Sequence, residues 1–496
     1  MAGALVAGSA WLYACGGPEF SSRLFADAPP GGAPSVGGSA ADGGAGGSVS
    51  GLAGDSGAPN AGESGQGGSD GSATCFPLEV PDATSLFVSV EGEDGPTCGS
   101  RAFPCRSIQV ALDRAALGSK VDHVYVATGI YAESLDLREG ITIEGGVSAF
   151  GAPGDFEWTL ACSHEDRVVI TGAEGSDQTV LAEDLGGEAR LTNLTLEAHA
   201  GAGLSTFGVK AVGASTKLVL TDVQVLPGHG LAGADGADGG AGEPGDTECD
   251  AADAATGADG EGAVGPLVAE FEAGLGFVPA DGLDGEAGTP GDPGVGADAP
   301  SAGNGGCVTC YTCTNLAVCV QAVATPSCGQ PGTSGCGGGG GAGGEKGRGG
   351  GSSVAVFAVD ALVEVRGGAL VSGDGGRGGK GGKGGEAGPG GQGETGADGP
   401  TCRVAPCDLL LCSSEGAAGK GLGTAGTEGG RGGDGGYGSG GSGGHSFAIV
   451  ELGSAQVKLF GSPRVDHGQP GRGGCPSGEP SDSPGCGADG LSGERY

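Results

Sequence analysis

Residues 423–444 read GTAGTEGGRGGDGGYGSGGSGG, with glycine at 423, 426, 429, 432, 435, 438, 441 and 444. The same spacing runs through Gly230, Gly233, Gly236, Gly239, Gly242 and Gly245, and again from Gly329 to Gly350 in steps of three. A period of three belongs to neither an α-helix nor a β-strand. It is the period of a polyproline-II-type helix, which rises about 3.1 Å per residue and has no internal hydrogen bonds. Such a segment has to find partners for its backbone groups elsewhere. Three arrangements meet that demand: a bundle of polyglycine-II helices bonded through their backbones, flexible loops solvated by water, or a collagen-like trimer. The bundle is favoured on two grounds. The arms go out and back within one chain, which makes neighbours antiparallel. Many triplets also carry a second glycine, as in GRGGKGGKGG (376–385), which permits close approach on more than one face. An arm of about 22 residues reaches roughly 70 Å.

The arms leave from a repeated strand unit. Leu218–Gly228, Val363–Gly373 and Lys458–Gly468 align as strand, short turn, second strand and glycine, with a Gly-rich arm departing at once. The strands before them also correspond: Val209–Val212, Val354–Phe357 and Phe447–Val450. Repetition of this kind marks rungs of one solenoid interrupted by excursions, each returning to the corner it left. Nearer the N-terminus, Leu86–Val90 reads as a strand. Ile108–Leu117 reads as a helix with Ser107 as its cap, Ile108, Ala111, Leu112 and Ala115 on one face, and Gly118 closing it. Short strands follow at Val124–Val126, Leu135–Leu137 and Ile141–Ile143.

The stretch from Phe87 to Ala115, then Val124 to Gly146, resembles the opening module of right-handed parallel β-helix proteins of the pectate-lyase-like class. Asp94, Gly95, Pro104, Ile108, Ala111, Leu112, Ala115, Gly129, Tyr131, Glu133 and Gly140 carry the resemblance, which covers about residues 84–225. It implies an all-β chain: a right-handed parallel β-helix with an N-terminal capping helix, bearing polyglycine-II-like arms. The expected organisation is a lipoprotein signal peptide over 1–15, a Gly/Ser/Ala/Pro-rich tether over 16–73 and a β-helix module over 74–226. A Cys-stapled excursion over 227–350 follows, then a rung over 351–372, a second excursion over 373–444, a rung over 445–467 and a Gly-rich tail over 468–496. The fold implies no activity, since it hosts lyases, hydrolases, adhesins and spacers alike.

The chain has 496 residues, of which 119 are Gly, and a formal net charge of −38. That charge argues against nucleic acid and against an anionic membrane surface as direct partners. It segregates: 230–300 holds sixteen Asp and Glu and no Lys or Arg, whereas Lys346, Arg348, Arg377, Lys380 and Lys383 lie on later arms. Opposite arms are therefore expected to attract.

Leu12-Tyr13-Ala14-Cys15, closing a short apolar run, resembles a bacterial lipobox. Cys15 is accordingly the expected lipidation site, anchoring the chain to a bilayer without spanning it. Lipidation leaves an even number of the 17 cysteines, and an exported chain this rich in cysteine is expected to form disulfides. Cys98 and Cys105 bracket one loop and are expected to pair. Cys307, Cys310, Cys313, Cys319, Cys328 and Cys336 staple the first excursion and Cys402, Cys407 and Cys412 the second, with Cys475 and Cys486 in the tail. The Cys307-x-x-Cys310-x-x-Cys313 spacing also permits zinc, but disulfides are the stronger reading in this compartment.

Candidate chemistry is thin. Gly228-His229-Gly230 resembles one motif of polygalacturonases, yet Asp222 has no second carboxylate nearby to activate water. Arg464, Asp466 and His467 form a polar cluster on the last rung. Asp235, Asp238, Asp246 and Asp259 offer hard oxygen ligands for calcium, without the nonapeptide of calcium-binding β-rolls. No catalytic or metal residue and no cofactor is expected, calcium being the exception held open. The chain as a whole resembles glycine-rich PGRS-type bacterial surface proteins. The resulting expectation is a non-enzymatic structural or adhesive lipoprotein of the cell envelope, outer-membrane or surface-exposed or secreted. Its expected partners are a membrane through its lipid, and extracellular polysaccharide or other surface proteins. The alternative is a polysaccharide-binding or polysaccharide-degrading β-helix protein, a lyase or glycosidase.

Overall fold

A computed structural model describes residues 76–496, apart from 118–119, 153, 162–166, 201–203, 251, 253, 267, 301–306, 314–321, 404–406, 409–410 and 413–417. Cys15, the tether, Gly118 and Cys319 lie outside the described residues. For Cys307, Cys310, Cys313, Cys402, Cys407 and Cys412 only the backbone is described.

Most regular structure is β, in three parallel sheets, none of which closes on itself. The first sheet contains Ser85–Val88, His123–Ala127, Thr142–Phe150, Glu188–Thr192, Lys217–Thr221, Leu362–Arg366 and Gln456–Phe460, with Glu157–Leu160 folding back antiparallel on Thr142–Phe150. The second runs from Gly129–Tyr131 through Val168–Ile170, Thr195–Ala198, Gln224–Pro227 and Ala369–Val371 to Arg464–Asp466. The third runs from Leu135–Asp136 through Gln178–Glu183, Thr206–Val212, Ser353–Val359 and Ser446–Leu452 to Ser492–Arg495. From Gln178 onward the chain visits third, first and second sheet in strict rotation.

Register follows from side-chain stacking. Val209 pairs with Val180 and Val356, Leu220 with Leu191 and Val365, and Val225 with Leu196 and Leu370. All nine are fully buried, and each such aliphatic side chain contributes about 1.5–3 kcal/mol by leaving water. Aromatic residues are few inside this core; the stacks are built from Val, Leu, Ile and Ala.

Two corners need left-handed backbone. Gly146, inside the strand Thr142–Phe150, has φ of 77°, and between first and second sheets Asn193, Asp222, Gly367 and Gly461 have φ of 52°, 52°, 77° and 69°. After the third sheet, Asp184, Gly213, Asp360 and Gly453 do the same at 46°, 104°, 55° and 67°. Asn, Asp and Gly tolerate this region best. Asn193, Asp222 and Gly367 each donate their N–H to the strand end one rung on, at Thr221, Arg366 and Phe460.

The helix spans Ile108–Leu117 and buries Ile108, Ala111, Leu112 and Ala115 against the first rungs. Its cap differs from expectation. Glu133 reaches across and accepts the N–H groups of Ile108 (2.8 Å) and Gln109 (2.9 Å), while the Ser107 hydroxyl donates to Asp94 (2.6 Å). A carboxylate satisfies two orphan donors and favours the positive end of the helix, which one hydroxyl cannot match. Burial raises the Glu133 carboxyl above its usual range, opposed by those two N–H bonds.

At the other end the exposed strand edge is blunted. Glu451 accepts the N–H of Val457 (2.5 Å), and Arg495, paired with Glu451 at 2.7 Å, donates to the Val457 carbonyl. Side chains that fill edge hydrogen bonds discourage pairing with another chain.

Candidate functional site

Eight Gly-rich arms extend from the sheets among the described residues: arm 1 (228–246), arm 2 (254–265), arm 3 (279–297), arm 4 (329–351), arm 5 (373–399), arm 6 (421–444), arm 7 (468–476) and arm 8 (484–491). Arms 1, 5 and 7 leave from successive strands of the second sheet; arms 4, 6 and 8 feed successive strands of the third. Residues 468–496 are thus more than a tail: they hold arms 7 and 8 and the last strand, Ser492–Arg495. Arms 2 and 3 are joined by the hairpin of Glu270–Glu272 and Gly276–Val278. Its Phe271 and Phe277 pack on Phe207, Phe357 and Phe447 on the outer face of the third sheet, pinning the arms to the strands.

Backbone bonds join the arms with period three. Gly230, Gly233, Gly236, Gly239, Gly242 and Gly245 donate to Asp374, Arg377, Lys380, Lys383, Glu386 and Pro389. Both series ascend, so arms 1 and 5 are parallel. Arms 5 and 4 run antiparallel, Gly379, Gly382 and Gly385 donating to Arg348, Glu345 and Ala342. The expectation of antiparallel neighbours alone is therefore corrected. Arms that leave successive rungs in one direction stack parallel, just as the rungs do.

Arm 6 is the centre. Its N–H groups reach arm 5 (Gly435 to Gly385), arm 3 (Gly436 to Glu286) and arm 8 (Gly443 to Ala488). Its carbonyls accept from arm 4 (Gly341 to Gly433), arm 2 (Gly260 to Asp434) and arm 7 (Gly474 to Gly441). Six neighbours use all six bonding directions of a three-residue helix. The neighbours are bonded in turn around it: 2 to 3, 3 to 4, 4 to 5, 5 to 7, 7 to 8, and 8 to 2 through Gly265 and Pro484. Such approach demands glycine. A Cβ on Gly435 would lie 2.0 Å from the Ala342 carbonyl oxygen, and one on Gly432 would lie 2.1 Å from that of Gly339.

The carboxylates bond N–H groups that no arm carbonyl reaches. Asp235 and Asp238 accept the N–H of Lys380 (2.7 Å) and Lys383 (2.8 Å), while Gly236 and Gly239 donate to the carbonyls of the same two lysines. Asp259 with Gly260 grips Asp434 in this way, and Asp374 with Gly375 grips Gln469. Asp281, Asp284, Asp398, Asp434 and Asp489 likewise accept N–H groups of Gly349, Lys346, Gly423, Ala387 and Gly473. Each of these aspartates stands directly before a glycine. Glutamate is one methylene too long for this bite, and a bond to an ionised acceptor is stronger than a neutral one. The Ala387 N–H, with Arg431 behind it, holds the Asp434 carboxyl below its usual range. Sequence reading missed this role, although the Asp-Gly dipeptides recurring in phase with the period carried the signal.

The residues singled out for chemistry take structural places. His229 makes the same grip as the aspartates, Nδ1 accepting the Asp374 N–H at 2.9 Å while Gly230 donates to the Asp374 carbonyl. Asp222 is a left-handed corner. Arg464 and Asp466 form an exposed ion pair at 2.8 Å, and Asp466 accepts the His467 N–H. Three of the four aspartates considered for calcium, Asp235, Asp238 and Asp259, are committed to backbone donors. Asp94 lies close to Cys98 and Cys105, but those two sulfurs are joined in a disulfide. Cross-arm ion pairs include Arg348–Asp281 and Arg377–Asp235; exposed pairs of this kind contribute little.

Disulfides join Cys98 to Cys105, Cys249 to Cys336 and Cys475 to Cys486, and Cys328 is also disulfide-bonded. Cys249, absent from the expected staples, ties the end of arm 1 to arm 4. A cavity of about 460 Å³ lies beside Leu78, Tyr125 and Glu144, whose carboxyl burial pushes up. Among the described residues no helix is long and apolar enough to cross a membrane. Comparison with protein-family models, with curated proteins and with solved structures finds no match.

Proposed function

We propose that this chain is a non-enzymatic structural or adhesive protein of the bacterial cell envelope. In this reading Cys15 carries a lipid, residues 16–73 tether the folded part away from the bilayer, and a right-handed parallel β-helix holds out a polyglycine-II bundle. The rotation of the chain through three parallel sheets supports the β-helix. The enclosure of arm 6 by six bonded neighbours carries the functional reading. Most backbone N–H groups of arm 6 are bonded within the bundle, which therefore offers partners a stiff face of side chains spaced three residues apart. A surface of that kind suits display and repetitive contact, and His229, one of the polar residues weighed for catalysis, is occupied in holding it together.

The test is fractionation of a bacterial host making the full chain beside its Cys15→Ala variant. Wild type is expected in the envelope, cleaved by protease added to intact cells, and the variant in the medium. Wild-type protein in the cytosol would contradict the location. Release of unsaturated or reducing ends from polysaccharide by the purified chain would contradict the non-enzymatic reading.

A further inference from the structure

The outer face of arms 1, 5 and 7 breaks the acidic character of the chain. Residues i, i+3 and i+6 of a three-residue helix stand in one row about 9 Å apart. On arm 5 that row has Arg377, Lys380 and Lys383 in succession, all exposed, between Asp374 and Glu386. Arg472 of arm 7 stands beside Arg377, because Gly378 donates to the Arg472 carbonyl. Among the described residues, the ammonium groups of Lys380 and Lys383 have no carboxylate partner within ion-pair distance, and Arg377 has a long one, 3.7 Å to Asp235. The nearby Asp235 and Asp238 are turned to backbone N–H groups.

Beside the row lies a groove of about 240 Å³. Arg377 and Lys380 form one wall, and Gly473–Glu479 the other, at the start of the loop closed by Cys475–Cys486. The Ser477 N–H bonds to Gly381 of arm 5 (2.9 Å), which fixes the loop against the row. The groove is therefore framed by backbone bonds and a disulfide, with the cations on its rim.

We propose that this groove binds a linear anionic polysaccharide, the cationic row meeting carboxylate or sulfate groups repeated at about the length of a disaccharide. Three observations select this ligand. The row has a fixed spacing along a straight rod, which matches a polymer better than a single ion. The rim carries an acceptor as well as cations, Glu479, which suits sugar hydroxyls. A duplex nucleic acid or an anionic bilayer presents continuous negative charge to a chain of net charge −38, and such broad fields repel. A short run of local charge acts within a Debye length of about 8 Å at physiological salt. The proposal rests on the adhesive reading and names its partner.

The experiment measures retention of the purified full chain on immobilised polygalacturonate, dextran sulfate and neutral dextran. Retention is expected on one or both anionic polymers and not on neutral dextran, weakening between about 50 and 500 mM salt as screening shortens. Retention on polygalacturonate alone assigns carboxylates; on dextran sulfate alone, sulfates. The double variant Lys380→Gln/Lys383→Gln keeps the backbone N–H groups that Asp235 and Asp238 grip, and is expected to lose at least tenfold in affinity. Lys458→Gln, away from the arms, is expected to bind as wild type. Equal retention on neutral dextran, no retention on either anionic polymer, or an undiminished double variant would overturn the proposal. A chain found on the cell surface that binds neither polymer defeats this proposal alone and leaves the envelope reading intact.

Discussion

Gly435→Ala is expected to open the Gly-rich bundle while leaving the sheets folded, and Gly240→Ala to be harmless. Both are glycines in three-residue arms, and composition does not distinguish them. At Gly435 the new Cβ would meet the carbonyl oxygen of Ala342 at 2.0 Å, with Gly341 behind it at 3.0 Å. Backbone cannot rotate away as a side chain can. Arm 6 would have to move, and its bonds to arms 3, 4 and 5 are arranged in series along the same rods. Overpacking alone costs about 1–3 kcal/mol, and each lost backbone bond adds about 1 kcal/mol, so a loss of roughly 3–5 kcal/mol is expected. At Gly240 no heavy atom lies within 4 Å of the Cβ position. It stands in line with Ala234 and Ala237 on arm 1, and removing unfolded-state freedom there stabilises by about 0.4–1 kcal/mol. Limited proteolysis with mass mapping reads the difference: cuts within 421–444 for Gly435→Ala, none new for Gly240→Ala. Equal resistance of the two variants would show that arm 6 is not enclosed.

The second large effect is acid sensitivity at His445. This side chain is fully buried among Phe271, Phe277, Phe447 and Tyr496, where the hairpin, the third sheet and the C-terminus meet. Its Nδ1 accepts the Leu491 N–H at 3.1 Å, and Nε2 is buried without a well-formed hydrogen bond. Burial holds its pKa down at about 4, against 6.5 for an ordinary histidine. Protonation would also set one donor against another at Leu491. A depressed histidine pKa means that the unfolded chain binds the proton first. Stability is therefore complete above about pH 6.5 and falls as the pH drops toward 4, by up to about 3 kcal/mol. His445→Asn keeps an acceptor near Leu491 and cannot take the charge. Its overall stability is expected to be lower through lost aromatic packing, but its urea midpoint should change much less than wild type between pH 7 and 5. Parallel slopes for the two proteins would remove His445 from the account.

Local signals in the sequence carried far. The apolar face of Ile108–Leu117 and the repeat at 218–228, 363–373 and 458–468 each report one element. Each element buries one face and answers to its own residues. What stayed hidden is relational. The capping role of Glu133 depends on a connection between two strands, 25 residues downstream of Ile108, meeting the helix end. The parallel stacking of arms 1 and 5 depends on rungs 144 positions apart aligning, as Gly230 and Asp374 do. The Asp-Gly grips were present as dipeptides, but a carboxylate beside glycine reads equally as a turn or a cation ligand until the N–H it faces is known. Cys249 gave no sign of its partner, because spacing within a long excursion does not fix which strands of it return side by side.

The most direct test of the bundle is residue-resolved amide hydrogen exchange. In arm 6, Gly429, Gly430, Gly432, Gly433, Gly435 and Gly436 donate backbone bonds, whereas Glu428, Arg431 and Tyr437 do not. In arm 1 only every third amide donates to arm 5, from Gly230 to Gly245. The expected pattern along 428–437 is two slow amides and one fast, except that the Asp434 amide, held by Asp259, is slow as well; along 232–245 it is one slow with two fast. Uniformly fast exchange through both arms would mean that they are solvated loops, and uniform protection of every amide would mean a different pairing.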